Sequence, residues 1–498
     1  MMKMDTFSTN IPKTSIAHTA WSIYCHRQQL LATLRQASKK ARQQQTTTLV
    51  SFTQPVATCD PLRLFRAFEH AAMGERLFWE YPAEQRALVG VGTATTIQAM
   101  GADSFVSIAT AWRTLQQEVV KGPADAIQTP GPILLGGFAF DPLRPRTSLW
   151  ANFPDGLLIL PHLLFHIQHE HAMLIISQEI TPTDDIEQCA DAILDRLQHI
   201  STLVANTPLP EREQTTSKLL LRDISPASAW KDLVAMVVKQ IKSDAYQKVV
   251  LARSVEAINV DHAFDANTTL QYLRVIYPNA HVFALQRGMH YFVGATPERL
   301  LSAHHGQLRT MALAGSAPRG KTQEEDDHLG AELLLSAKNK NEHEIVVATI
   351  HDALARFCSR VWIADAPELL RLKNIQHLET PIVGELLAGY SILDAIQSLH
   401  PTPAVGGFPC DKALQEIREN EQLDRGWYAG PFGWVDAHGD GEFAVALRSA
   451  LIDGKTATLF AGCGIVADSD PESEYLESCL KLNVMLRGLG GEESEQER

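Results

Sequence analysis

Short apolar stretches and alternating apolar and polar positions dominate the chain, which is the pattern typical of β-strands. After residue 247 these stretches follow one another through short turns, so they predict antiparallel meanders and not parallel βαβ units. Strands are predicted at residues 77–81, 87–91, 134–140, 157–160, 172–177, 247–257, 281–285, 291–294, 309–313, 427–435, 442–452 and 457–465. Apolar residues spaced three or four apart predict helices at 104–119, 186–200, 225–242, 324–357, 392–399 and 411–418. The predicted fold class is therefore α+β, with large antiparallel sheets.

Changes in residue composition divide the chain into segments. Residues 205–217 are rich in Pro, Thr and Glu, and we interpret them as a linker or as a surface crossover inside one domain. They separate an N-terminal scaffold half, 46–204, from a C-terminal region, 218–490, that is followed by an acidic tail at 491–498. A polar, basic segment, 1–45, precedes both halves.

The basic stretch within that N-terminal segment could form a helix through Leu30, Leu31 and Leu34. Such a helix could be an arm that binds a partner or a membrane surface, or it could be a solvated or frayed chain end. The sequence favours the solvated or frayed end.

Composition and charge narrow the possible functions. The chain has 498 residues, of which 45% are hydrophobic, and this is ordinary for a globular protein with a large core. Its net charge of −14 argues against a nucleic-acid surface, and an anionic substrate would need a local basic pocket. The seven cysteines contain no CxxC pair, which favours a reduced cytoplasm over a zinc site or a disulfide scaffold. We expect no membrane span, since no apolar run is long enough.

The stretch 462–481, GCGIVADSDPESEYLESCLK, is the most informative part of the sequence. It reads as a strand end followed by a glycine turn and a helix. Gly462 and Gly464 would let the backbone approach a ligand closely. On the helix, Glu474, Glu477 and Lys481 share one face, where two carboxylates could hold a hard cation and the lysine an anion. The alternative is a solvated face with a Glu–Lys pair.

Three further residues suggest acid–base and metal chemistry. Lys248 begins an apolar strand, and if its side chain points inward the loss of hydration would lower its pKa toward that of a base; the alternative is a strand-end lysine that reaches water. Glu298 follows another apolar strand, where burial would make its carboxyl a proton donor, unless it pairs with Arg299. Glu342, in the long predicted helix, could complete a Mg²⁺ site with Glu477.

Other residues suggest anion binding. Arg448 lies within the apolar stretch FAVALRSAL, where a guanidinium is expected to meet a carboxylate of the protein or of a substrate. The turn GSAPRG at 315–320 could bind an oxyanion through its N–H groups. His377 has either a structural role or a place in the site. Carboxylates with Lys and Arg would also suit a Mg²⁺-dependent phosphoryl-transfer enzyme, but the sequence has no phosphate-binding glycine loop.

In this order and spacing, the motifs resemble the chorismate-utilising enzyme family. The resemblance covers residues 225–488 through KVVLAR, GATPERL, LAGSAPRG, KNKNEH, QHLETP, HPTPAVGG, ALRSA, AGCGIVADSDPESEYLE and Lys481. The N-terminal half is similar through FWE, GGFAFDP and WANFPDG. The resemblance implies two large antiparallel sheets packed together with helices outside, as in anthranilate synthase component I, and both halves of the chain in one domain. Residues 218–490 would be the chorismate-binding catalytic region.

The resemblance also implies a role for each candidate. Lys248 would be the base that activates water, and Glu298 the acid that protonates the departing hydroxyl. Glu342 and Glu477 would hold Mg²⁺, with Glu474 in or next to the metal's ligand set. The residues that would contact or line the substrate are Gly315, Ser316, His377, Ala404, Tyr428, Arg448, Gly462 and Lys481.

Within the family, the resemblance is to the isochorismate synthases. These enzymes add water at C2 of chorismate and release the C4 hydroxyl, and the menaquinone-pathway members are the most similar. Ala314 stands where aminodeoxychorismate synthases carry a nucleophilic lysine, and a lysine at 248 favours water over ammonia as the nucleophile. A salicylate synthase, a siderophore-pathway isochorismate synthase and, more remotely, a non-catalytic chorismate-binding protein are the alternatives. Chorismate would be the small-molecule partner of a monomer or weak homodimer.

Overall fold

A computed structural model describes residues 25–122, 131–210, 218–371 and 375–491. Its helices are α1 (Arg27–Gln44), α2 (Pro61–Ala67), α3 (Ser104–Glu118), α4 (Ile186–Asn206), α5 (Ala227–Lys242), α6 (Ala266–Ile276), α7 (Gln323–Leu335), α8 (Ala337–Leu354), α9 (Ile392–Leu399), α10 (Cys410–Asn420) and α11 (Pro471–Gly488). In the described part of the chain, no helix is long and apolar enough to cross a membrane.

The strands are β1 (Thr48–Val56), β2 (Arg76–Tyr81), β3 (Arg86–Val91), β4 (Thr95–Ala99), β5 (Val120–Gly122), β6 (Ile133–Phe138), β7 (Gly156–Leu160), β8 (Leu163–Gln168), β9 (His171–Ile180), β10 (Leu219–Asp223), β11 (Lys248–Asn259), β12 (His281–Arg287), β13 (His290–Thr296), β14 (Arg299–His304), β15 (Gln307–Pro318), β16 (Cys358–Ile363), β17 (Glu368–Arg371), β18 (Ile375–Leu386), β19 (Gly407–Phe408), β20 (Pro431–Asp436), β21 (Gly441–Val445), β22 (Ser449–Asp453) and β23 (Thr456–Ile465).

These strands form two mostly antiparallel sheets, which confirms the predicted fold class. The large sheet has the order β10-β11-β23-β22-β13-β12-β2-β3-β8-β9-β1-β5, with β19 beside β11. The small sheet has the order β16-β18-β15-β14-β21-β20-β6-β7-β4, with β17 beside β18. Each sheet contains strands from before and after residues 205–217, since β2 pairs with β12 and β6 with β20. Of that connection, residues 211–217 lie outside the described part.

The two faces of the large sheet bury different cores. Along β2, Leu77 and Trp79 point toward the small sheet, where Trp79 lies 6.0 Å from Phe432 of β20 between ring centroids. Phe78, between them, joins the core beneath the outer helices. This alternation follows from the two-residue period of a strand and places one apolar layer between the sheets and a second under the helices.

Helix α1 is packed, so the prediction of a solvated or frayed N-terminal helix was wrong for the described residues. Leu30 and Leu34 are fully buried, and α1 lies against β1 and α4. Its basic residues occupy the outer face, where Arg27 and Arg35 form ion pairs with Glu187 of α4. An apolar stripe at helical spacing therefore decides the position of this helix in spite of its high charge.

The single helix predicted over 324–357 is two helices, α7 and α8, which meet at Ser336. Ser336 has φ −63° and ψ 112°, which is not helical, and its side chain accepts a hydrogen bond from the Asn339 N–H. A serine at this position satisfies a donor at the start of α8 and so permits a new helix to begin.

The strand predicted over 442–452 is also two strands, which belong to different sheets. β21 lies in the small sheet and β22 in the large sheet, and the chain crosses between them at 446–448. Arg448 takes a left-handed conformation there, with φ 48°. The uniformly apolar stretch gave no sign of the crossing, because both strands are buried.

A second crossing brings the candidate residues together. The chain leaves the large sheet after β13 and enters the small sheet at β14, with Glu298 in between. The two crossings are hydrogen-bonded: the Val445 N–H donates to the Glu298 carbonyl at 2.9 Å, and the Ala295 N–H donates to the Arg448 carbonyl at 3.1 Å. The two segments that carry Glu298 and Arg448 are thus held side by side where the chain passes between the sheets.

The packing of α1 generates a prediction for stability. Leu34→Ala should lower the free energy of unfolding by about 2–5 kcal/mol, because it leaves a cavity in a closed core. Gln36→Ala, at an exposed position of the same helix, should change it by no more than about 0.5 kcal/mol. Denaturant unfolding measures both. A Leu34→Ala protein as stable as the wild type would mean that α1 is not docked.

Candidate active site

Lys248 begins β11, the strand that pairs with β23 along its length and with β19 at its start. Its side chain lies over Gly464 of β23, where an added Cβ would come within 2.9 Å of the lysine Cε. Burial lowers the pKa of Lys248, the carboxylates of Glu342 and Glu298 raise it, and Lys481 lowers it. The lysine therefore points inward, as one of the two interpretations predicted, and burial is the largest influence on its charge.

Glu298 has the opposite shift. Burial raises its pKa to about 7, while Lys248 and Lys481 act in the other direction. The alternative, a pair with Arg299, is not formed: the Arg299 guanidinium lies 3.5 Å from Glu442. Burial thus favours the neutral form of both groups, while the charge of each one opposes this shift in the other.

Helix α11 presents Glu474, Glu477 and Lys481 toward the end of β23. Its N-cap is Asp470, whose carboxylate accepts from the Ser473 N–H. Lys481 Nζ lies 2.6 Å from Glu477 Oε1 and donates to the Gly462 carbonyl at 2.9 Å. The Glu–Lys pair of the alternative interpretation is therefore present, but Lys481 is also hydrogen-bonded to the backbone of Gly462 at the end of β23.

A group of potential metal ligands lies at this helix. Single ligand atoms of Cys463, Glu474 and Glu477 lie within 4.8 Å of one another. Burial raises the pKa of the Cys463 thiol to about 12, so at neutral pH it is a poor ligand and the carboxylates remain. Burial, followed by the nearby Glu477, also raises the pKa of Glu474. Glu342 of α8 lies outside this group, although its charge acts on Lys248.

Arg448 is a half-buried cation with few partners. Its Nη1 donates to the Lys481 carbonyl at 3.4 Å, and among the described residues no carboxylate oxygen lies within 4.0 Å of it. Burial lowers its pKa, and the nearby Tyr428 acts in the other direction. Of the two carboxylate partners that the sequence suggests, the one from the protein is therefore not found in the described part of the chain.

Tyr428 lies in a turn before β20, and not in the strand predicted at 427–435. It is buried and stacks on Phe460 of β23, with ring centroids 5.2 Å apart. An added Cβ on Gly462 would lie 3.2 Å from its hydroxyl, so the tyrosine and the glycine strand end are in contact range.

His377 and Gly315 meet across β15 and β18. Gly315 has φ 73° at a β-bulge, and Ser316 beside it pairs with His377, which hydrogen-bonds to the Gly315 backbone. Burial lowers the pKa of His377, and both Lys248 and Lys481 lower it further, so the ring lies in their electrostatic range. The Ser316 side chain lies outside the described part.

Ala404 is exposed and lies in the loop before β19. Together with Glu298 it lines a small cavity, whose wall also includes Thr402 and Pro403. Gly464, expected from the sequence only to allow close approach of a ligand, also makes room for the Lys248 side chain. A lysine at the start of one strand and a GxG motif in the strand beside it could have indicated this contact. Recognising it requires the register of the two strands, Val250↔Gly464, which the sequence does not provide.

The comparisons decide the family. A sequence profile described as "Chorismate binding enzyme" matches residues 34–490. The chain belongs to this family of chorismate-binding enzymes. Isochorismate synthase MenF of Bacillus subtilis is 37% identical over 465 residues, which are 92% of this chain and 96% of that protein. The salicylate biosynthesis isochorismate synthase of Pseudomonas aeruginosa is 38% identical over 469 residues, 93% and 95% of the two chains.

Solved structures support the same assignment to the chorismate-binding enzymes. The menaquinone-specific isochorismate synthase MenF of Escherichia coli aligns with a TM-score of 0.71 and 27% identity, over 92% of this chain and 99% of that one. Anthranilate synthase component I of Streptococcus pneumoniae aligns with a TM-score of 0.64 over 80% of this chain and 92% of that one, at 21% identity, and shows the fold alone.

The raised pKa of Glu298 makes this residue a source of instability. Its folded value, about 7, lies above the ordinary 4.5, so the loss of stability is absent below pH 4.5 and grows as the pH rises through 7. Glu298→Gln should therefore raise the free energy of unfolding at pH 8 by about 1–3 kcal/mol, and by less at pH 5.

Urea unfolding at pH 5 and pH 8 measures this difference. Glu385→Gln, at an exposed position of β18, is the control and should change the free energy of unfolding by no more than about 0.5 kcal/mol at either pH. An equal effect of Glu298→Gln at both pH values would contradict the assignment of a buried, protonated carboxyl.

Proposed function

We propose that this chorismate-binding enzyme is an isochorismate synthase. The observation that carries the proposal is that a lysine and a glutamate, Lys248 and Glu298, lie within electrostatic range of each other, where burial shifts their pKa values in opposite directions. Moving a hydroxyl from one ring carbon to another with water requires one group to take a proton and another to give one. The names of the most similar relatives reported above support the same reaction.

In the proposed reaction, Lys248 in its neutral form takes a proton from water, whose oxygen forms the new bond to C2. The C4–oxygen bond breaks, and Glu298 in its neutral form gives its proton to the departing hydroxyl, which leaves as water. Burial drives both groups toward these forms. The reverse reaction would use the same two groups with exchanged roles.

The substrate's carboxylates would be held by the cations at the crossing of the sheets. Arg448 has no carboxylate partner among the described residues, so it can accept one from the substrate. Lys481 would be the second cation, and its Nζ donates a hydrogen bond to the Gly462 carbonyl. The backbone at Gly315, the ring of His377 and Tyr428 would complete the walls of the site, with Ala404 at its exposed side.

We also propose Mg²⁺ as the cofactor, held by Glu342, Glu474 and Glu477. The residues fit a hard cation, because the potential ligands near Glu474 are carboxylates and a thiol that stays protonated. Burial, and after it the neighbouring Glu477, raises the pKa of Glu474, and a bound cation would favour the ionised form of this carboxyl. When bound, the ion would supply positive charge for a substrate carboxylate.

The names of the similar proteins point to two pathways: the Pseudomonas aeruginosa relative is named for salicylate biosynthesis, and the solved Escherichia coli MenF is named menaquinone-specific. We propose the menaquinone pathway, which the Bacillus subtilis MenF name and the solved Escherichia coli MenF support. The seven cysteines are free thiols, which supports a reduced compartment, and we propose the cytoplasm.

Product identification tests the proposed function. The purified protein is incubated with chorismate and Mg²⁺, and the products are separated by chromatography and identified by mass. Isochorismate as the product supports the proposal. Salicylate with pyruvate would make the protein a salicylate synthase, and unchanged chorismate would make it a binding protein; either result overturns the proposal.

Gly464 gives a sharp test of the role of Lys248. In Gly464→Ala the new Cβ would come within 2.9 Å of the lysine Cε, so the flexible side chain must move while the strand backbone need not. We expect kcat to fall at least tenfold, toward the ~10²–10⁴-fold loss typical of a missing general base, with an unchanged melting temperature. Gly488→Ala in α11 meets only ordinary contacts and should leave kcat unchanged. Wild-type kcat in Gly464→Ala would contradict the role of Lys248.

Glu477 and Glu342 test the metal site. Glu477→Gln and Glu342→Gln should each abolish the Mg²⁺-dependent activity while the fold stays intact, because each removes a charged ligand. Glu472→Gln is the matched control on the same helix: its carboxylate pairs with Lys231, and its activity should be that of the wild type. Full activity of the wild type in excess chelator, or of either site variant, would exclude this Mg²⁺ site.

A further inference from the structure

One edge of β11 lacks a strand partner in its middle. On the side away from β23, Lys248 and Val249 pair with β19, and the residues from Val255 onward pair with β10. The Val250 N–H still donates to the Gly406 carbonyl at 3.0 Å, but the Val250 carbonyl and the Ala252 N–H face a gap between the two short strands. Buried backbone donors and acceptors in such a gap need other partners.

Two charged side chains fill the gap. The Ala252 N–H donates to Glu421 Oε2 at 2.7 Å, and Arg425 Nη2 donates to the Val250 carbonyl at 2.6 Å. Both residues follow α10 and pair with each other, at 2.7 Å, with side chains only 1% and 3% exposed. Together they offer β11 one acceptor and one donor, as a neighbouring strand would.

Arg425 also ties β11 to two other parts of the site. Its Nη1 donates to the carbonyl of Val405, the residue after Ala404. Its own carbonyl accepts from the Tyr428 N–H at 2.9 Å. The guanidinium of Arg425 therefore joins the strand of the base to the loop before β19, and its main-chain carbonyl holds the turn of the tyrosine.

A pair of apolar residues could fill the same volume but could not satisfy these groups. A guanidinium has donors in several directions, so it can serve two carbonyls and a carboxylate at once. Burying the ion pair is expensive compared with an apolar pair of similar size, and this argues for a role in geometry beyond stability.

We propose that Glu421 and Arg425 are positioning residues, which replace a missing strand at the edge of β11 and thereby hold Lys248 at the substrate. The inference rests on the proposed function, in which Lys248 is the base. Neither residue need touch the substrate: the pair acts through the backbone of Val250 and Ala252, two and four residues along from the lysine.

Steady-state kinetics of Glu421→Gln and Arg425→Lys test the proposal. We expect kcat to fall about 10–100-fold, the size of effect that a misplacement of about 1 Å produces, with KM for chorismate within about threefold of the wild type. KM should stay nearly unchanged because Arg448 and Lys481, which would bind the substrate's carboxylates, lie on other elements. Glu80→Gln is the matched control, because Glu80 is also buried and paired with an arginine, Arg274, but lies away from the site. It should leave kcat unchanged.

Hydrogen exchange supplies a readout that does not depend on activity. In the wild type the Ala252 amide should be among the slowest to exchange, and in Glu421→Gln it should exchange at least tenfold faster, with β1 and β9 unchanged. Fast exchange in the wild type, unaltered exchange in the variant, or an equal kcat loss in Glu80→Gln would each overturn the proposal. If the wild type makes no isochorismate, the proposed function fails, while the exchange result still decides whether the pair holds β11.

Discussion

Loss of water around Lys248 and Glu298 is the condition on which the rest of the structure depends. Each group alone would be charged at neutral pH in water, and burial pushes each toward its neutral form. The two groups also act on each other electrostatically. If their side chains came into direct contact, the proton would pass from Glu298 to Lys248 and both groups would be charged, as an ion pair. The fold must therefore hold a lysine on one strand and a glutamate at a crossing between sheets, close together and dry.

Two motifs of the N-terminal half pack against residues around the candidate site without supplying candidate chemistry. Trp150, from the WANFPDG motif, stacks on Phe460 with centroids 5.6 Å apart, and Phe460 in turn stacks on Tyr428. Phe140, from GGFAFDP, lies beneath the Arg425 guanidinium at 4.2 Å. These two motifs thus pack behind the site, which gives a physical reason for their place in the resemblance.

Much of the fold could be predicted from the sequence, because strand periodicity and short turns are local signals. The strands predicted at 77–81 and 87–91 are present as the antiparallel pair β2–β3, and the helix predicted at 392–399 is α9. Events set by tertiary structure could not be predicted. The crossing at Arg448 lies in a stretch that is apolar on both sides, and Glu421 with Arg425 has the i,i+4 spacing of an ordinary surface pair. Only the gap beside β11 makes that pair buried.

The candidate residues lie on separate strands, turns and helices. The expectation that they come together therefore followed from the resemblance and not from their spacing in the sequence.

The central claim is that water, activated by Lys248, provides the new hydroxyl. The most direct test is to run the reaction in ¹⁸O-labelled water and to determine by mass spectrometry where the label lies in isochorismate. The account predicts ¹⁸O in the new ring hydroxyl at C2. Unlabelled isochorismate would mean that the hydroxyl migrates within the substrate, and Lys248 could not then be the base that activates water.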